Sequence, residues 1–216
     1  MALKLYMTRL SPPVRAVLLT SRAIGVELQM IEMDLMAGKH LTPAYLEMNP
    51  QHTVPTLVDG DFSVWDSHAI SSYLVSKYAP NDSLYPRDLQ KKALVDQRLH
   101  FDSSILHPRL TGTFFPIVFH GVKQISDEKM AGIMEAYDFV DKFLKAGDWL
   151  AGDSLTIADL CAVASISSLA VVVPIDGSKY PRLAAWYGRC QKLPYYHEAN
   201  QQGLDLLATV LKSKLT

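Results

Sequence analysis

The stretch Val54-Pro55-Thr56-Leu57-Val58-Asp59-Gly60-Asp61-Phe62-Ser63-Val64-Trp65 decides the fold. Two apolar runs, Val54 to Val58 and Phe62 to Trp65, flank Asp59-Gly60-Asp61. Glycine adopts the positive φ that a tight turn demands, so the stretch reads as a β-hairpin. Asp66-Ser67 then offers N-cap side chains to a helix whose apolar face carries Ile70, Tyr73, Leu74 and Tyr78. Toward the N-terminus, Leu28 to Asp34 and Leu3 to Met7 read as strands. Between them Val14, Val17, Leu18 and Ile24 share one helical face that Gly25 closes. A strand–helix–strand connection of this length predicts a right-handed crossover between parallel strands. The order is β-α-β, an irregular segment, then β-β-α, which predicts a small mixed sheet covered by helices.

Toward the C-terminus, the turn-rich segment Pro80 to Pro86 reads as a linker, dividing the chain into 1–80 and 87–216. Every periodic segment after it is helical. Met130, Ile133, Met134, Tyr137, Val140 and Leu144 form one stripe, with Ser126 as N-cap and Gly147 as the stop. Leu155 to Val173 is apolar or small all round, as in a helix buried on every side. Pro181 opens a further helix and Pro194 ends it. Leu204, Leu207, Ala208 and Leu211 make a last stripe. The fold class expected is an α/β domain followed by an all-α helical bundle.

The 216 residues are 49% hydrophobic and 20% charged, with a formal net charge of −1. That composition supports a sizeable core. It supplies no basic field for nucleic acid or an anionic membrane. The opening Met1-Ala2-Leu3-Lys4 lacks the pattern of a signal peptide. No apolar stretch reaches the roughly 18 residues of a membrane span; Leu155 to Val173 is interrupted by Asp159 and serines. Cys161 and Cys190 fall in helical patterns and read as buried free thiols of a reducing, cytoplasmic setting.

Three features carry chemistry. Leu10-Ser11-Pro12-Pro13-Val14-Arg15 lies between the first strand and the first helix. A hydroxyl at a helix N-terminus either caps the helix or turns toward an anion. His52-Thr53-Val54-Pro55 precedes a strand; an X-Pro bond there can be cis and would leave the Val54 amide and carbonyl free for an extended ligand. Asp66-Ser67-His68 places a carboxylate, a hydroxyl and free N–H groups at another helix N-terminus, which suits an ordinary cap or a polar ligand. No Gly-x-Ser-x-Gly elbow surrounds Ser11, which argues against a Ser/His/Asp hydrolase. His100, His120 and His197 are too scattered for a metal site, and no Cys/His spacing suggests zinc. Leu155-Thr156-Ile157-Ala158-Asp159 is a capping-box variant and reads as folding machinery.

In order and spacing, these features resemble the cytosolic glutathione transferases, of the insect delta/epsilon type and most like the epsilon class. The matching strings are Ser11-Pro12-Pro13-Val14-Arg15, Asn49-Pro50-Gln51-His52-Thr53-Val54-Pro55-Thr56-Leu57, Asp66-Ser67-His68-Ala69-Ile70, Tyr73-Leu74-Val75-Ser76-Lys77-Tyr78, Ser83-Leu84-Tyr85-Pro86 and Leu155 to Asp159. The resemblance implies a thioredoxin-like N-terminal domain, a helical C-terminal domain, a homodimer, and glutathione as co-substrate with no metal. It implies that Ser11 bonds the glutathione sulfur and that Val54, held by cis Pro55, pairs with the cysteinyl backbone. His40 and His52 would contact the glycyl end, and Asp66, Ser67 and His68 the γ-glutamyl end. Small hydrophobic electrophiles would lie against Leu10, Leu35, His107, Leu110, Thr111, Phe114 and Val118. Asp66 stands where many relatives carry Glu, His68 where delta members often carry Arg, and Thr111 where some epsilon relatives carry Arg. A dimer that carries apolar ligands without turnover is the competing expectation.

Overall fold

The computed structural model describes residues 2–215; Met1 and Thr216, the outermost residues of the two predicted halves, lie outside the described residues. The first half contains β1 (Lys4–Met7), α1 (Pro12–Ala23), β2 (Gln29–Glu32), α2 (Pro43–Met48), β3 (Thr56–Asp59), β4 (Phe62–Trp65) and α3 (Ser67–Tyr78). The sheet order is β2-β1-β3-β4. β1 runs parallel to β2, with Lys4 opposite Gln29 and Met7 opposite Glu32. β3 is antiparallel to β1 and hairpins into β4 through Gly60, whose φ is 63°. This is the thioredoxin-like arrangement. Leu5, Met7 and Leu57 carry the sheet's buried face into the core, and α1 and α3 cover it with Val14, Val17, Ile70 and Leu74.

Two expectations change here. The irregular segment before the hairpin contains a short 3₁₀ turn, Lys39–Leu41, and the six-residue helix α2. Six residues make under two turns, and only Tyr45 among them is buried, so α2 writes no periodic stripe. β3 starts at Thr56 instead of Val54, because Pro55 has no N–H to give the ladder.

The second half is helical: α4 (Leu89–Phe101), α5 (His107–His120), α6 (Asp127–Phe143), α7 (Ile157–Leu169), α8 (Pro181–Gln191) and α9 (Gln202–Lys214). A π-helical turn, Asp102–Leu106, joins α4 to α5 without a break, and another, His197–Gln201, leads into α9. Ser126 caps α6 through the Lys129 N–H, as its position suggests. Gly147 does not stop α6, which ends at Phe143. It allows a close backbone approach instead, because a Cβ there would lie 2.4 Å from the Gly152 carbonyl oxygen. Cys161 and Cys190 are buried and unpaired.

Every residue of α7 is buried, including Asp159. The Asp159 carboxylate accepts hydrogen bonds from the backbone N–H groups of Leu150 (2.8 Å) and Thr156 (2.9 Å) and from Trp186 Nε1 (2.9 Å). It thereby ties the α7 N-terminus to the preceding loop and to α8. The linker joins the same point, since the Ile157 N–H donates to the Leu84 carbonyl at 2.9 Å. Asp159→Ala strands four buried donors, these three and the Thr156 hydroxyl 3.1 Å away, each worth about 1–3 kcal/mol unsatisfied. We expect it to lower the unfolding free energy by about 3–5 kcal/mol in a urea titration, with Asp159→Asn losing less.

Candidate active site

The strand register gathers the chemistry at one rim of the sheet. Tyr6 near the end of β1 faces Thr56 at the start of β3, and Thr56 faces Trp65 at the end of β4. Met7 faces Glu32 at the end of β2. The segments carrying Leu10 and Ser11, Leu35 and His40, His52 to Pro55, and Asp66 to His68 therefore all leave from this edge.

Ser11 is the N-cap residue of α1, extended at φ −73° and ψ 120°, but its side chain makes no capping hydrogen bond. The cause is local. A capping oxygen bonds the N–H of the second or third helical residue. Pro12 and Pro13 occupy the first two positions and bring no N–H, so only the Val14 N–H remains for a cap, and the hydroxyl does not take it. Half-buried Ser11 keeps its hydroxyl uncommitted at the positive end of the helix.

The Val54–Pro55 peptide bond is cis. The Val54 N–H and C=O form no hydrogen bond with other described residues. The segment around them is held firmly. Buried Asn49 donates to the Thr53 carbonyl at 3.0 Å and to Thr56 Oγ1 at 2.9 Å, while the Tyr45 hydroxyl donates to the Thr53 carbonyl at 2.6 Å. His40 and His52 lie with ring centroids 6.0 Å apart, and His40 Nδ1 is buried without a partner.

Asp66 caps α3. Its Oδ1 accepts from the N–H groups of His68 (2.9 Å) and Ala69 (3.0 Å), leaving Oδ2 free. Ser67 is 6% exposed and makes no side-chain hydrogen bond with other described residues. His68 bridges two acids. Its Nε2 lies 2.9 Å from Asp102 Oδ2 on the π-helical turn, and its Nδ1 lies 3.6 Å from Asp66 Oδ1. Burial disfavours the imidazolium, but the hydrogen bonds it donates to Asp102 and Asp66 outweigh that cost and raise the His68 pKa to about 10. Burial likewise opposes ionisation of Asp66, yet His68 and the Ala69 N–H hold its carboxyl down to about 2. His107 sits near the same charges, and burial pushes its pKa below the ordinary histidine value.

The expected apolar wall divides. Leu10, Leu35, Thr111 and Val118 are half-buried. Thr111 spends its hydroxyl on the His107 carbonyl, 3.0 Å away. Leu110 and Phe114 are each 3% exposed and belong to the core. The solvent-facing side of α5 presents Phe115 and Phe119, stacked edge to face at 5.6 Å, and Leu206 is exposed on the neighbouring α9. Sequence reasoning missed Asp102, which carries no motif of its own. It also left out Phe115 as a wall residue, although the i, i+4 spacing of two phenylalanines was a usable signal. Among the described residues no group of three or more His, Cys, Asp or Glu side chains is placed to hold a metal, and no helix is long and apolar enough to cross a membrane.

A thioredoxin-like sheet with free polar groups along one rim, followed by a helical bundle, defines a two-domain class of transferase. The glutathione S-transferase N-terminal domain family matches residues 1–76, and its C-terminal domain family matches residues 94–194. Glutathione S-transferase 1 of Manduca sexta is 48% identical over the full length of both chains. The solved epsilon-class glutathione S-transferase of the housefly, Musca domestica, superposes with a TM-score of 0.97 at 47% identity over 99% of each chain. A glutathione transferase homologue of Drosophila mojavensis, solved with bound glutathione, gives a TM-score of 0.94 at 45% identity over 99% of this chain and 98% of that one. The chain belongs to the glutathione S-transferase family and is an enzyme of that kind, most like the epsilon class.

The His68 clamp has a pH signature. Its folded pKa, about 10, lies above its unfolded value, about 6.5. The stabilisation is therefore complete below about pH 6.5, declines as pH rises, and is lost near pH 10. We expect the melting-temperature gap between wild type and His68→Gln to be wide at pH 6 and to close toward pH 10. A gap of constant width would reject the charged clamp.

Proposed function

We propose that the chain conjugates glutathione to small hydrophobic electrophiles by holding the tripeptide's sulfur as a thiolate at Ser11. The observation that carries this reading is the Ser11 hydroxyl at the tip of α1, free of any capping bond. An ordinary thiol has a pKa of about 8.5, so only a few per cent is ionised at pH 7. Lowering it by about two units takes roughly 2.7 kcal/mol of preference for the anion. A charge-assisted hydrogen bond supplies about 1.5–3 kcal/mol, and a helix N-terminus adds about 0.3–1 kcal/mol. No general base is needed. The thiol proton leaves to water, the hydroxyl donates to the sulfur, and the sulfur attacks the electrophile's carbon as the leaving group departs.

The rest of the rim fits the tripeptide. The free Val54 N–H and C=O suit an antiparallel pairing with the cysteinyl unit, with Pro55 fixing the bend. His40 and His52 suit the glycyl carboxylate. Ser67 and the α3 N-terminus suit the γ-glutamyl carboxylate, and the Asp66 carboxylate its ammonium; His68 fixes Asp66 from behind. In this reading residues 1–80 grip glutathione and residues 87–216 carry the electrophile. The electrophile rests on Leu10, Leu35, His107, Thr111 and Val118, with Leu110 and Phe114 as the floor and Phe115 and Phe119 as added walls. Thr111 brings no charge to that wall, which favours neutral apolar substrates. Dehydrochlorination or peroxide reduction would use the same thiolate. The working form is a homodimer in the cytoplasm.

Carriage of apolar ligands without turnover is the second reading, favoured by the exposed Phe115, Phe119 and Leu206. Purified protein that binds glutathione resin yet gives no rate with a reactive aryl halide would select it. For the enzyme, Ser11→Ala should raise the pKa of the bound thiol and lower kcat at pH 7 by about one to two orders of magnitude, the size of one charge-assisted bond. An unchanged midpoint in a thiolate absorbance titration would reject the role of the hydroxyl.

A further inference from the structure

Arg15 carries a positive charge into the protein interior, and among the described residues no carboxylate meets it. The residue is 1% exposed. Its Nη1 donates to Asn200 Oδ1 at 2.6 Å and its Nη2 to Ser168 Oγ at 2.5 Å; both partners are neutral. Its Nε is buried without a partner. The other groups facing it are the phenols of Tyr187 on α8 and Tyr196 at the entry to α9. Glu198, on the same seam, is bonded instead to Arg22 at the surface, 2.7 Å away. Burial pulls the Arg15 pKa down to about 10, against the two tyrosines, so it stays protonated at neutral pH.

Buried charges are normally paired, because desolvation is costly. Bracing α1 against α7 and the Asn200 turn takes only two hydrogen bonds, which an uncharged amide could make. Among the described residues the cation has no counter-charge, and its position indicates where one would form. The Arg15 N–H bonds the Ser11 carbonyl at 3.1 Å, so Arg15 begins one helical turn after Ser11. Helical side chains lean toward the N-terminus. A Cβ on Gly203 would lie 2.8 Å from Arg15 Cδ and 2.3 Å from the Arg9 carbonyl oxygen, so the Arg15 stem runs against the loop that presents Ser11.

We propose that Arg15 is an electrostatic positioning residue whose counter-charge is the glutathione thiolate formed at Ser11. The inference rests on the reading of Ser11 given above. A charge buried this way is weakly screened by salt, and its field reaches several ångströms past the side chain. It favours the anion without touching it, while the hydroxyl supplies the contact.

The test gives Arg15 a counter-charge and leaves Arg15 itself intact. Asn200→Asp sets a carboxylate on the guanidinium in nearly the same shape, and Ser168→Asp does so from the other partner. In either variant we expect the thiolate midpoint of bound glutathione to rise by about one pH unit. The rate with an aryl halide at pH 6.5 should fall up to about tenfold and recover at alkaline pH. If Arg15 is only a brace, the new ion pair raises the melting temperature and leaves the midpoint where it was, which overturns the proposal. Ser11→Ala separates the two readings. A midpoint moved by Asn200→Asp but not by Ser11→Ala upholds Arg15 and removes the hydroxyl's role. The reverse upholds the hydroxyl and removes Arg15. Wild-type protein that does not bind glutathione in calorimetry removes both.

Discussion

Helix α7 has no face toward solvent, and its one carboxylate, Asp159, must be satisfied inside the protein. That constraint organises both halves of the molecule. Asp159 fixes where α7 starts, the preceding loop and linker close against that start, and Trp186 of α8 reaches the same oxygen as the Leu150 N–H. Further along, α7 packs against α1, the helix that presents Ser11. A rod of small and branched side chains such as Ala158, Ala162, Val163 and Ile166 lets α1 come close enough for Arg15 to reach Ser168. Burial at one end of the helical half is thus coupled to the position of the sheet's first loop at the other.

The sheet then does the work of assembly. Four strands of four residues each cannot bury much surface, but their pairing is unambiguous because one face carries Leu5, Met7 and Leu57 and a one-residue slip would turn them to the wrong side. With the register fixed, four loops from distant parts of the sequence meet at one rim. Three of the four are stiffened by their own means. Prolines stiffen the Ser11 loop, the Asn49–Thr53–Thr56 bonds stiffen the Val54 loop, and the Asp66 cap, with φ at 75°, shapes the turn into α3. The polar groups left unused by this stiffening are those assigned to a ligand.

Much of this was legible in the chain. Asp59-Gly60 announced the hairpin because few residues other than glycine accept that turn, and the uniform apolarity of Leu155 to Val173 announced α7 because no other pattern suits a helix without a wet side. The short α2 was not legible, since packing by Tyr45 holds it and periodicity does not. The π-helical turn at Asp102 was not legible either, because an added residue in a helical turn leaves no compositional trace. That turn sets Asp102 opposite His68, so the acid became visible only in three dimensions. The apolar wall was half legible. The family resemblance pointed to α5, but sequence spacing alone could not tell its core side, Leu110 and Phe114, from its solvent side, Phe115 and Phe119.

Ser11 shows why residue type by itself does not decide between folding and chemistry. Serine before a helix is ordinarily a cap, and reading it so needs nothing more. The two prolines that follow change the outcome. They are favourable at the start of α1 because their φ is already helical and their missing N–H groups would have had no helical partner. The same absence removes one of the two donors a capping oxygen would seek and leaves only the Val14 N–H. The helix loses little by leaving Ser11 uncapped, and the hydroxyl is released at the place where α1's peptide dipoles sum to a positive end. A sequence that stabilises its first turn by prolines thus also creates an idle donor at that tip, and the sulfur chemistry proposed for this protein requires such a group.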